Sequence, residues 1–120
     1  MNKLIDPKQL GMSQLRDKVF STPTTRDVRP YVVEYLRRQT DRARTLTNED
    51  LLHGKGADIS SSMFGALALQ GSDGAEGVDW ITKEAEPTLF RMMLLASRLD
   101  VDDNNDQATW DELFKIVDKL

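Results

Sequence analysis

Cysteine is absent from this 120-residue chain, and histidine occurs once, as His53. The first absence excludes a disulfide framework and thiolate metal sites and fits a reducing compartment. The second leaves no imidazole pair for acid–base work and no zinc site built on several histidines. Long apolar runs are also missing. The longest nearly uncharged stretch, ISSSMFGALALQG from Ile59 to Gly71, falls well short of the roughly 20 residues that span a bilayer. The opening MNKLIDPKQLG lacks the apolar core of a signal peptide, so a cytoplasmic chain that meets no membrane is expected. Acids outnumber bases, 20 to 16, for a net charge of −4, which disfavours indiscriminate binding to nucleic acid while leaving room for a local basic patch.

What is present is helical periodicity. Asp6-Pro7 reads as a helix start, with Leu10, Met12, Leu15, Val19 and Phe20 on a loose apolar stripe that Gly11 weakens. After STPTT, Thr25 can cap a second helix starting close to Asp27, with Val28, Tyr31, Val32, Tyr35 and Leu36 at steps of three and four and an end near Arg44. A third start lies at TNED, where Thr47 can accept from the Asp50 backbone N–H, and a break is expected at HGKG, residues 53–56. Beyond it, Ile59, Met63, Phe64, Leu67 and Ala68 define a thin helix rich in small residues. Residues 71–78 read as a flexible linker and Asp79 as the cap of a short turn. Pro87 then leads into TLFRMMLLASRL, expected to be the most buried helix. In ATWDELFKIVDKL, Thr109 and Glu112 form a candidate capping box, and Trp110, Leu113, Phe114 and Val117 share a face. With no alternating β-branched run in competition, the expectation is an all-α bundle of about four to six helices in a single domain, residues 1–24 being a loosely attached arm.

Several segments bear on chemistry. In DVDDNNDQATWDE, Asp100, Asp102 and Asn104 match the first liganding positions of a calcium-binding EF-hand loop and Asp111 the twelfth. Asn105 stands where that loop needs glycine, Gln107 where it needs an aliphatic residue, and Asp111 where a glutamate supplies two oxygens. The plainer account is an acidic connector followed by a helix, with no metal or cofactor bound. SSS at 60–62 lacks the frame of a serine nucleophile, and HGKGADISSS lacks the order of a phosphate loop. Six arginines, among them Arg37, Arg38 and Arg42, lie between positions 26 and 44 against three acids. Such a helix can be an ordinary solvated face, can meet phosphates, or can face the acidic stretch 100–112 of the same or a neighbouring molecule. Stacking aromatics interleaved with it, the mark of a single-strand binder, are missing. Met92 and Met93 could furnish an adaptable groove, core packing being the ordinary use of methionine in a leucine-rich helix.

A binding or assembly role is therefore expected in place of catalysis. The order of segments resembles the tail assembly chaperones of long-tailed phages. The basic amphipathic helix RDVRPYVVEYLRRQTDRAR is followed by the capped small-residue helix TLTNEDLLHGKGADISSSMFGALALQ and the linker GSDGAEGVDW. ITKEAEPTLFRMMLLASRLD and the acidic DVDDNND complete the likeness, which covers roughly residues 26–106. It implies a chaperone in the host cytoplasm that coats the helical tape measure protein, recruits tail tube subunits and self-associates along its partner. Candidate contacts are Met63, Phe64, Leu67, Met92 and Met93, each of which core packing could equally claim. The chain departs from the family in lacking a recognisable short apolar N-terminal segment and in ending on an amphipathic helix. The rival expectation is a small acidic regulatory or inhibitory module whose DVDDNND mimics phosphate charge toward a basic partner site; a single-site calcium binder is a third.

Overall fold

The structure is a computed structural model and describes residues 6–21, 29–47, 49–50, 54–72, 79–80, 88–101 and 107–119. Among them every regular element is helical: a 3-10 turn at Pro7–Gln9, then α1 (Met12–Ser21), α2 (Arg29–Arg44), α3 (Lys55–Ser72), α4 (Thr88–Val101) and α5 (Gln107–Asp118). The expected all-α architecture is the observed one. Its radius of gyration, 14.1 Å, is what close packing gives a chain of this length.

The N-terminal helix expected from Asp6 is two pieces. The Asp6 carboxylate accepts from the Lys8 backbone N–H at 3.0 Å and caps the 3-10 turn, after which Leu10 is extended. The helix then restarts: the Gly11 carbonyl accepts from Leu15 N–H at 2.9 Å, and the Gln14 side chain accepts from Gly11 N–H at 3.2 Å. Glycine here sits at a helix start, where its freedom costs little. Leu15 and Val19 are fully buried, and the Gln70 amide of α3 reaches the Val19 carbonyl at 3.4 Å. Residues 6–21 thus pack onto the bundle; the remainder of the expected arm, residues 1–5 and 22–24, lies outside the described residues.

α2 is the central post, touching the 3-10 turn, α1, α3 and α5. Tyr31, Val32, Tyr35, Leu36, Gln39, Thr40 and Ala43 form its buried stripe, as its spacing predicts. The proposed starts at Thr25 and Asp27 lie outside the described residues.

Between α2 and α3 the cap at Thr47 is reciprocal. The Asp50 N–H donates to Thr47 Oγ1 at 3.1 Å and the Thr47 N–H to Asp50 Oδ2 at 3.0 Å. The Thr47 backbone N–H, followed by the Thr47 hydroxyl, holds the Asp50 carboxyl below its ordinary value. The expected break falls on Gly54, whose φ of +78° is the left-handed conformation that glycine adopts without strain. α3 then runs through Gly71 and Ser72, taking in the first residues of the expected linker; residues 73–78 lie outside the described residues.

α3 and α4 form the most extensive helix pair. Ile59, Met63, Ala66 and Leu67 from α3 meet the core together with Leu89, Met92, Leu95, Ala96 and Leu99 from α4. Small residues on α3 let the two backbones approach, as its thin pattern suggests. Full burial of each leucine or methionine contributes about 1.5–3 kcal/mol. α4 is nonetheless one-sided: Leu94 is 47% exposed, so the helix expected to be most buried keeps an open face.

In α5 the apolar face is as read, with Trp110, Leu113 and Val117 buried and Phe114 stacked on Trp110 at 6.0 Å between centroids. The capping box is not formed. The helix already includes Gln107, so Thr109 lies inside it, buried, and Glu112 turns to Arg91 on α4. A charged pair across two helices displaces a local cap that the earlier start has made redundant.

Candidate functional site

The arginines of α2 have three separate uses. Arg38 donates its Nε to Glu34 one turn earlier at 2.8 Å and its Nη2 to the Pro7 carbonyl at 3.0 Å, clamping the 3-10 turn to the helix. Arg44 binds Asp118 of α5 at 2.7 Å and lies over the Phe114 ring at 4.9 Å. The basic helix therefore does meet acid near the C-terminal helix, but at Asp118, beyond the stretch 100–112. Arg42 donates to the Gln39 side-chain carbonyl at 2.9 Å. Arg37, half-buried, meets no carboxylate among the described residues.

Arg37 stands at the rim of a cleft of about 450 Å³ that is open to solvent. Its floor is apolar: Pro7 from the 3-10 turn, Pro30 and Val33 from α2, and Trp80 from the segment after the connector. Trp80 is buried, with the Arg29 guanidinium over its ring at 5.0 Å. Lys8 and Arg37 supply the cationic rim, while the Arg29 guanidinium is largely buried beside Trp80. The acids that share it are engaged, Asp6 with the Lys8 backbone and Glu34 with Arg38. An apolar floor inside a positive rim suits an amphipathic segment carrying acid beside its apolar stripe.

The apolar residues named as candidate contacts are placed differently. Met63, Leu67 and Met92 have no exposed surface and are core, out of reach of a partner in this fold. Phe64 and Met93 are partly buried and packed against that core. Phe20, Leu69 and Leu94 are the large apolar side chains that reach the surface among the described residues. Burial on one face of α3 and α4 follows from their mutual contact, which periodicity within either helix does not report.

Of the calcium candidates, Asp111 is exposed in α5 and accepts from the Gln107 amide at 2.9 Å. Asp102 and Asn104 lie outside the described residues, as do His53 and the Asp100 side chain. Among the described residues no group of three or more histidine, aspartate or glutamate side chains could hold a metal ion, and no helix is long and apolar enough to cross a membrane.

The cleft gathers Lys8, Arg29, Pro30, Val33 and Trp80; Arg29 belongs to the arginine-rich segment noted in the sequence, and the other four were not read as site residues. The available signal was a lone tryptophan directly after a glycine- and acid-rich connector, a place where an aromatic has to find cover.

Comparison of the chain with protein-family models, with curated proteins and with solved structures finds no match.

Proposed function

We propose that the chain is a non-enzymatic assembly chaperone of the kind long-tailed phages use, one that binds the tape measure protein and tail tube subunits through helical surfaces. The observation that carries this reading is the cleft beside α2. It lies on the basic amphipathic helix that heads the family-like layout, and its floor of Pro7, Pro30, Val33 and Trp80 within a cationic rim offers an acidic amphipathic helix both burial and charge pairing. The all-α scaffold supports the same reading, because helical faces are the surfaces such a chaperone presents.

The test is co-expression with a long helical tape measure encoded immediately downstream. The chain keeps that partner soluble and co-purifies with it as an oligomer, whereas Val33→Glu and Arg37→Glu, both at half-buried positions, lose the partner while retaining native circular dichroism. A chain that stays monomeric and leaves the tape measure insoluble defeats the proposal.

A further inference from the structure

Another hollow, about 230 Å³, lies where α1, α2 and α3 converge, and its lining is part polar and part apolar. Gln39, 3% exposed, forms its floor. The Gln39 amide donates to the Tyr35 hydroxyl at 3.1 Å and to Ser62 Oγ, while its carbonyl accepts from Arg42 at 2.9 Å. The Ser62 hydroxyl donates in turn to the Ile59 carbonyl at 2.9 Å. Every polar atom of Gln39 and Ser62 is therefore engaged. The Tyr35 hydroxyl accepts from Gln39, but its proton finds no acceptor among the described residues, although the side chain is 1% exposed. Tyr35 also lines the hollow, so its hydroxyl, already held by Gln39, has a proton to offer a ligand there.

The walls carry charges that do not meet. Arg16 from α1 and Arg42 from α2 flank the hollow, and Asp58 from α3 shares it. Neither arginine is within ion-pair distance of Asp58 or of any other carboxylate among the described residues. Two guanidinium groups in one lining suit a carboxylate, which accepts several of their N–H donors at once. The single carboxylate in the same lining, Asp58, suits a donor. The volume, equal to about seven or eight waters of liquid, is below the ~300 Å³ at which drug-sized pockets begin.

We propose that this hollow is a binding site for a small carboxylic acid that also carries a hydroxyl or ammonium group. Its carboxylate lies between Arg16 and Arg42 and accepts the Tyr35 proton, and its donor faces Asp58. The Met12 thioether, also in the lining, is the adaptable wall that fits acids of different shape. The site is independent of the partner cleft.

The experiment is a nuclear magnetic resonance titration of the full chain with malate, free aspartate, succinate and inorganic phosphate. Malate and aspartate give saturable shifts of the Gln39 side-chain amide and the Ser62 backbone amide, with affinity about tenfold or more above that of succinate. Arg16→Gln and Arg42→Gln, at exposed positions, each weaken malate about tenfold, and Tyr35→Phe, which keeps the ring in place, weakens it as well. Asp58→Asn removes the preference for malate over succinate while binding of succinate is retained. No saturable shift at millimolar concentration overturns the proposal. So does an equal response to phosphate and malate, which is a generic anion effect, or a malate affinity untouched by both arginine substitutions.

Discussion

Arg91 of α4 grips Glu112 of α5 with both edges of its guanidinium, Nε to Oε1 at 2.8 Å and Nη2 to Oε2 at 3.1 Å. The geometry is the parallel two-bond form that makes arginine–carboxylate pairs specific. Both side chains are close to half exposed, so the pair orients α5 against α4 more than it stabilises the fold.

Its hydrogen bond from Arg91, ahead of Coulombic attraction, holds the Glu112 carboxyl below the ordinary glutamate value. A carboxyl depressed in the folded state contributes stability above its unfolded value, and that contribution is lost as pH falls through the lowered folded value. Titration of Glu112 by carbon-detected magnetic resonance is expected to give a midpoint below the ordinary range, moving up in Arg91→Gln and in high salt. A midpoint indifferent to both changes would mean that the pair does not persist in solution.

Gly54→Ala and Gly65→Ala are expected to have opposite signs. Gly54 has a φ of +78°, so alanine there costs about 1–2 kcal/mol of strain although nothing lies within 4 Å of the added methyl. Gly65 sits inside α3, where an added Cβ meets Phe20 at an ordinary 3.9 Å; alanine should stabilise by about 0.5–1 kcal/mol. Urea unfolding of the two variants checks the contrast, and equal effects would refute it.

Met63→Ala and Met92→Ala, at positions with no exposed surface, are each expected to cost about 2–5 kcal/mol, against no more than about 0.5 kcal/mol for Leu94→Ala on the open face of α4. Denaturant midpoints separate the two classes. Should the methionine variants prove silent, these side chains would be surface in solution.

Arg38→Met retains much of the stem packing but removes the bonds to Pro7, Lys8 and Glu34. The expected result is faster amide exchange over residues 7–21 than in the rest of the molecule, with a global loss of about 1–2 kcal/mol. Uniform exchange along the chain would show that the clamp is not what holds that segment.

The parts legible in the sequence are those decided locally. The α2 stripe, the Thr47 cap, the break at Gly54 and the α5 face each follow from neighbours within a turn or two. Glu112 shows where that ends: three residues from Thr109 it suggests a cap, yet its partner is Arg91, 21 residues away. The open side of Leu94 and the split of the N-terminal helix are likewise settled by tertiary contact. The cleft was least legible of all, since its walls come from residues 6–8, from α2 between Arg29 and Arg37, and from Trp80, which no window of sequence brings together.

Arg44 and Asp118 are 74 positions apart along the chain. A ribosome that has just made α2 must add the intervening segments before α5 exists, on the order of several seconds at about 5–20 residues per second. During that interval α2 can gather the 3-10 turn, α1 and then α3, while the ring of Phe114 has yet to reach Arg44. Docking of α5 onto α2 is thus a late event in synthesis, and a nascent chain stalled before residue 107 lacks the α5 partners of Arg44.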